Sequence, residues 1–182
     1  MTRLGAVLTG GQSSRFGSDK ALALFDGKPL VCHAASVLAA AGLPVVLCGR
    51  AYPVEAVAVL ADWPVPALGP LGGLCAALRY GLAHGYGTVI TIGCDMPDLP
   101  PAVLAELLDG DTAAYLAASP VVGRWPTALF AQLEAHLMTS DRRSIRHWAQ
   151  IVQAAAIASD VDIPNLNSPG DLAAFTSRST SA

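Results

Sequence analysis

The stretch Leu8-Thr9-Gly10-Gly11-Gln12-Ser13-Ser14-Arg15-Phe16-Gly17-Ser18-Asp19-Lys20 follows a short apolar run, Leu4 to Leu8. Such a run reads as a buried strand, and the paired glycines read as the turn that ends it. Glycines let a backbone approach a ligand closely and leave N–H groups to meet anionic oxygens. Arg15 and Lys20 add two positive charges on the same loop. Arginine offers a planar fork and lysine a mobile point charge, and both suit phosphate oxygens. The loop lacks the closing Gly-Lys-Ser/Thr of a Walker A motif and does not read G-x-G-x-x-G. A solvated glycine-rich turn is the plainer reading of Gly-Gly alone. Two cations on one loop after a strand favour phosphate binding.

Working outward, strand-like and helix-like segments alternate. Leu22 to Phe25 runs into Asp26-Gly27, a tight-turn signal. Leu30 to Ala41 reads as a helix ended by Gly42, and Pro44 to Cys48 and Ala56 to Leu60 read as strands. Leu74 to His84 has helical spacing, Thr88 to Ile92 is a β-branched run, and Pro101 to Leu108 is a helix with proline in an acceptable early position. The second half is less regular. Ala113 to Ala118 and Thr127 to Phe130 read as strands, Ala131 to Met138 and Ser144 to Gln150 as helices, and Ile151 to Ile157 as a last strand. Ser168-Pro169-Gly170-Asp171 is a helix start. Alternation of this kind implies a single α/β domain, a mostly parallel sheet with helices on both faces. The expected domain spans residues 1–176, with 177–182 a small, polar, frayed tail.

Composition bounds the function. Of 182 residues, 53% are hydrophobic and 14% charged, which excludes disorder over most of the chain. A formal charge of -3 leaves no broad basic face for nucleic acid, although it leaves room for a local cationic pocket for phosphates. Mean hydropathy is +0.47, yet no run reaches the roughly 20 unbroken apolar residues of a membrane span. The first residues resemble a signal segment only until Gly10-Gly11-Gln12. Cys32, Cys48, Cys75 and Cys94 form no C-x-x-C pair and lie in apolar segments. They read as buried free thiols, so a cytoplasmic protein without membrane or nucleic-acid partners is expected.

In open α/β sheets, ligands bind beyond the carboxyl ends of the strands. Two special loops follow strands, Thr9 to Lys20 and Gly93 to Pro100, and both should open onto one crevice. In the second, Asp95 stands just past a buried strand, where a carboxylate is costly unless paired or metal-bound. Either it holds Mg²⁺ together with phosphate oxygens, or it caps a turn; Asp98 suits capping of the following helix better. Gly72 and Gly73 mark a loop-to-helix junction that either admits a base or sugar or packs a helix on the sheet. Asp62, just before it, is either an acceptor for a base edge or ribose or an exposed loop residue. Arg142, Arg143 and Arg146 either grip an anionic second substrate or solvate a helix start, and Asn165-Leu166-Asn167 precedes the Ser168 cap. His33, His84, His136 and His147 have no metal-ligand spacing, and no nucleophile elbow is present.

These motifs, in this order, resemble the molybdenum cofactor guanylyltransferase (MobA) family of the nucleotidyltransferase superfamily, from Leu4 to about Phe175. The resemblance rests on Leu8-Thr9-Gly10-Gly11 with Arg15, Gly17, Asp19 and Lys20; Asp26-Gly27-Lys28-Pro29-Leu30; Gly69-Pro70-Leu71-Gly72-Gly73; Cys94-Asp95-Met96-Pro97; Arg143-Ser144-Ile145-Arg146; and Asn165-Leu166-Asn167-Ser168-Pro169-Gly170-Asp171-Leu172. It implies a Rossmann-like fold and a Mg²⁺-dependent reaction in which GTP and molybdenum-bound molybdopterin give the guanine dinucleotide cofactor and pyrophosphate. By resemblance, Leu8, Thr9, Gly10, Gly11, Lys20, Asp62 and Gly72 face the nucleotide, and Asp95 holds the metal. Arg15, Lys20 and Asp95 serve catalysis, and Asn165, Asn167, Arg143 and Arg146 lie on the pterin side. Molybdenum-insertion proteins and recipient molybdoenzymes are the implied partners. Two departures stand out. Cys48 or Gly49 replaces a family asparagine, which weakens the case for guanine, and Trp125-Pro126 replaces a His-Pro pair near the second substrate. The alternatives are a cytidylyltransferase or another nucleotidyltransferase of this fold, or a non-catalytic nucleotide or pterin carrier.

Overall fold

A computed structural model of the chain describes residues 2–9, 20–52, 54 and 57–158. Gly10, Gly11, Arg15, Asn165, Asn167, the helix start at Ser168 and the tail lie outside the described residues. In chain order the elements are β1 (Arg3–Leu8), a 3₁₀ turn (Lys20–Leu22), β2 (Leu24–Phe25), β3 (Lys28–Pro29), α1 (Leu30–Ala40), β4 (Val45–Cys48), β5 (Ala58–Leu60), α2 (Pro70–Ala83), β6 (Thr88–Gly93), α3 (Pro101–Leu108), β7 (Ala114–Leu116), β8 (Gly123–Pro126), a second 3₁₀ turn (Thr127–Leu129), α4 (Phe130–Thr139), α5 (Ile145–Ile151) and β9 (Ala155–Ile157). Asp26 and Gly27 both take positive φ, 49° and 73°, the signature of the tight hairpin turn that joins β2 to β3.

Seven strands form one sheet in the order β5-β4-β1-β6-β8-β7-β9. All neighbours run parallel except β8, which is antiparallel to both β6 and β7. The expected mostly parallel sheet is therefore present, with one reversed strand. Every residue of β6 is buried, as a strand covered on both faces requires. Side chains alternate between the two layers. Leu4, Ala6 and Leu8 of β1 join Leu71, Leu74 and Leu78 of α2 and Trp148 of α5 on one face. Val7 joins Val31, Ala34 and Leu38 of α1 and Val103 and Leu107 of α3 on the other. Each fully buried leucine of this kind contributes about 1.5–3 kcal/mol.

Three expectations need correction. Residues Thr127 to Phe130 are not a strand: the strand is Gly123–Pro126, and Thr127–Leu129 turns as a 3₁₀ helix into α4. Pro126 cannot donate to a ladder, so it ends the strand there. Helix α2 begins at Pro70, four residues earlier than the apolar spacing suggests, because Gly72 and Gly73 lie inside its first turn. Of the four free cysteines, Cys48 and Cys75 are buried, whereas Cys32 and Cys94 are partly exposed.

Candidate active site

The chain leaves β1 toward β4 and β5 on one side and returns to β6 on the other. The carboxyl ends of β1 and β6 therefore flank a topological switch point, the place where an open α/β sheet binds its ligand. Register sets the two ends side by side, with Leu8 opposite Gly93 and also opposite Cys48. The Cys94 N–H donates to the Leu8 carbonyl at 3.3 Å, which locks the start of the second loop to the end of the first.

Lys20 and Asp95 meet at this point. Lys20 Nζ donates to Asp95 Oδ2 at 2.9 Å, across 75 residues of sequence. Their side chains are 11% and 25% exposed, so the pair is shielded but open to a ligand. The described ends of the two post-strand loops, Lys20 and Asp95, thus meet at one rim of the sheet. Asp98 does not cap α3: the N-cap residue is Pro100, and no side chain bonds there. Asp98 is exposed, which leaves Asp95 as the carboxylate of the loop that faces the crevice.

Thr9 fixes the neighbouring wall. Its N–H and its hydroxyl both donate to the Cys48 carbonyl, at 2.9 and 2.8 Å, and the hydroxyl accepts from the Arg50 N–H at 3.1 Å. The loops after β1 and β4 are thereby tied together. Cys48, one of the two residues that could stand for the family asparagine, is wholly buried, and burial with the nearby Asp62 carboxylate pushes its thiol far up into the neutral form. Gly73 explains that burial, since a Cβ on it would sit 3.1 Å from Cys48 Cβ.

Asp62 is the third charged group at this rim. Desolvation raises its carboxyl above the ordinary range, against the opposing pull of the Leu68 and Ala67 backbone N–H groups. Its Oδ1 is buried and takes no hydrogen bond among the described residues. Gly72 makes room for it, because a Cβ there would lie 3.0 Å from Asp62 Cβ and Cγ and 2.7 Å from Leu68 Cβ. The missing side chain of Gly72 thus faces protein and brings the Asp62 loop against the first turn of α2.

The far wall is the β7–β8 hairpin. Since β8 is antiparallel to both β6 and β7, the last residue of β7 lies at the same rim as Asp95. Val121 Cγ1 comes within 3.4 Å of where a Gly93 Cβ would be, and Thr91 Oγ1 donates to the Val121 carbonyl at 2.7 Å. Arg146 Nη2 donates to the Ala117 carbonyl at 2.8 Å, while Arg143 is exposed. Trp125 is not at this wall. It is fully buried, and its indole N–H donates to Thr91 Oγ1 at 3.0 Å.

The donor set can be tested against a divalent cation. No group of three or more His, Cys, Asp or Glu side chains that could hold a metal ion occurs among the described residues. An all-protein cage is therefore absent from them. An ion held by one carboxylate and completed by phosphate oxygens and water fits, because an ionised carboxylate has about four lone-pair sites and the lysine ammonium uses one direction.

Sequence reasoning missed Trp63, Arg79 and Glu134, which buttress the Asp62 loop. Trp63 Nε1 donates to Glu134 Oε1 at 2.5 Å, and the Arg79 guanidinium lies 3.7 Å from the centre of the Trp63 ring. The Asp-Trp-Pro step was their one visible signal.

Comparison with known proteins adds to this geometry. The model of the MobA-like NTP transferase domain family matches residues 5–157. A molybdenum cofactor guanylyltransferase of Rhizobium leguminosarum bv. trifolii is 34% identical, with 93% of this chain and 89% of that protein covered. One from Cereibacter sphaeroides is 32% identical with 95% of each covered. Among solved structures, molybdopterin-guanine dinucleotide biosynthesis protein A of Archaeoglobus fulgidus superposes with a TM-score of 0.76 at 20% identity, over 100% of both chains. At that identity the superposition speaks for the fold.

Proposed function

The chain belongs to the MobA-like NTP transferase domain family, and from that premise we propose that it transfers GMP from GTP to molybdenum-bound molybdopterin, forming the molybdopterin guanine dinucleotide cofactor and releasing pyrophosphate. The observation that carries this reading is the Lys20–Asp95 pair, 2.9 Å apart at the switch point of the sheet. A binding-only carrier has no use for a carboxylate placed beside a phosphate-seeking cation.

The chemistry follows from charge. The terminal phosphate of molybdopterin attacks the α-phosphorus of GTP in line. A new P–O bond forms as the bond from the α-phosphorus to the bridging oxygen breaks, and pyrophosphate leaves with that electron pair. The nucleophile is already ionised at neutral pH, so no general base is required. The protein positions the partners and offsets negative charge. Asp95 is the residue that would hold Mg²⁺, which supplies positive charge to the phosphate oxygens when bound. Lys20, with Arg15 from the glycine loop, stabilises the departing pyrophosphate. Leu8, Thr9, Gly10 and Gly11 line the nucleotide, with Thr9 holding two loops in register. Asp62 accepts from the nucleotide, and Gly72 sets its distance from α2. Asn165, Asn167, Arg143 and Arg146 belong to the pterin side.

One unit spanning residues 1–176 carries the reaction. It works in the cytoplasm, supplied by molybdenum-insertion proteins and delivering to molybdoenzymes, without nucleic acid or membrane; no helix among the described residues is long and apolar enough to cross a membrane. The test is pyrophosphate release from GTP, CTP and ATP in turn, with molybdenum-bound molybdopterin, with and without Mg²⁺. Release from GTP with Mg²⁺ is expected. Preference for CTP moves the protein to the cytidylyl branch, and nucleotide binding without release makes it a carrier.

A further inference from the structure

We propose that Trp63 is a positioning residue for the nucleotide: its indole, held between Glu134 and Arg79, fixes the adjacent Asp62 carboxylate in the site. The inference rests on the reading of Asp62 as a nucleotide contact and deepens it.

Asp62 sits on a connection that spends no regular structure between β5 and α2. One oxygen of the Asp62 carboxylate is buried without a hydrogen bond, and the Leu68 and Ala67 N–H groups that bond the carboxyl belong to the same connection, so the connection itself still needs an anchor on the helices. The anchoring comes from the next residue. The Trp63 N–H donates to the Gly72 carbonyl at 3.2 Å, tying the backbone to the first turn of α2. The Trp63 side chain then reaches two helices. Its indole N–H donates to Glu134 of α4 at 2.5 Å, a bond to an ionised acceptor. Its ring face carries the Arg79 guanidinium of α2 at 3.7 Å. Three contacts on two rigid elements therefore hold one loop residue, and the functional carboxylate is its neighbour. A rigid partner outside the pocket is how a loop residue keeps the precision that binding demands.

Asp62 meets the nucleotide away from the reacting phosphorus. Its contact is therefore the same in the ground state and the transition state, and loosening it raises KM without changing kcat. A purely structural role would alter the amount of folded enzyme and so the apparent kcat, not KM for one substrate.

The experiment is steady-state kinetics with GTP on the full chain. Trp63→Phe keeps an aromatic ring, smaller than the indole, and removes the indole N–H; Glu134→Leu removes the acceptor and leaves the tryptophan. Both are expected to raise KM for GTP about five- to tenfold with kcat and KM for the pterin substrate unchanged. Glu134→Gln keeps a carbonyl acceptor and is expected to restore KM to near the parent value. Asp62→Ala is measured beside them. If Asp62→Ala raises KM while Trp63→Phe and Glu134→Leu do not, or if Glu134→Gln behaves as Glu134→Leu does, the clamp is overturned and the reading of Asp62 stands. If Asp62→Ala leaves KM for GTP unaltered, that reading falls and the clamp falls with it.

Discussion

Among the described residues the fold buries two cations at opposite ends of the sheet: Lys20, 9% exposed, and Arg124, 7%. Arg124 turns toward the carboxyl end of α3, at the edge of the sheet where β1 begins, since Arg3 donates to Gly110 just beyond that helix. Its guanidinium donates to the carbonyls of Thr112 at 2.6 Å, Asp109 at 2.7 Å, and Glu106 and Leu107 at 3.2 Å each. Four neutral acceptors, three of them from the helix end where the macrodipole is negative, satisfy it without any counter-charge. Lys20 meets an ionised carboxylate instead. The contrast separates a finished charge from an exchangeable one. A guanidinium sunk in backbone carbonyls has no better partner to move to. An ammonium paired with a carboxylate at an open rim can turn to a phosphate when one arrives, and frees the carboxylate for a metal ion.

The sharpest way to break the contrast is Asp95→Asn. The amide oxygen still accepts from Lys20, so the pair survives as a hydrogen bond and the fold stays intact. The negative charge is gone, and transfer falls about a thousandfold. Pyrophosphate release with GTP and Mg²⁺ measures it, and an Asp95→Asn enzyme of near-normal rate removes Asp95 from the chemistry. Arg124→Met works in reverse. It leaves the carbonyls at the end of α3 without their donor and lowers the free energy of unfolding by about 3 kcal/mol. Turnover per folded molecule is unchanged. Urea unfolding and an active-site-normalised rate report the two quantities, and a loss of rate with full stability would place Arg124 at the wrong end of the contrast.

Only one of these two cations was legible in the sequence. Lys20 closes a glycine loop after a buried strand, and Asp95 follows another such strand; the rule that α/β ligands gather at strand ends puts both in one crevice. The parallel strands, the Asp26-Gly27 hairpin and helices α1 and α3 were legible for similar reasons, since each carries a local period or a turn residue. Arg124 was invisible because its partners are backbone carbonyls, which leave no trace in residue identity. Strand β8 was displaced by a few residues because Gly-Arg-Trp-Pro is no apolar run: Arg124 is buried by its hydrogen bonds and Trp125 by its ring. Gly72 and Asp62 were each read singly, yet what matters is their approach, a close packing of loop on helix that spacing cannot express. Trp63 was passed over because its value lies in Glu134, 71 residues away.

Asp62 sharpens the comparison from the smallest effect, since it is a half-buried charge that backbone N–H groups satisfy only in part, with one oxygen left unpartnered among the described residues. Its carboxyl ionises at higher pH in the folded chain than the ordinary carboxylate value of about 3.9. Between those two values the folded chain keeps a proton that the unfolded chain has released. Stability therefore falls as pH rises through that window, and the penalty is fully present above it. Asp62→Asn removes the charge while its amide oxygen can still accept from the Leu68 and Ala67 N–H groups. Melting at neutral pH is expected to rise by a few degrees, and the advantage to shrink to nothing as pH falls to about 4. GTP affinity should drop in the same variant, the trade expected where a site holds a strained charge for its ligand. A gain that persists unchanged at acid pH would mean that the stabilisation came from packing, and that desolvation of the carboxylate is not what the fold tolerates there.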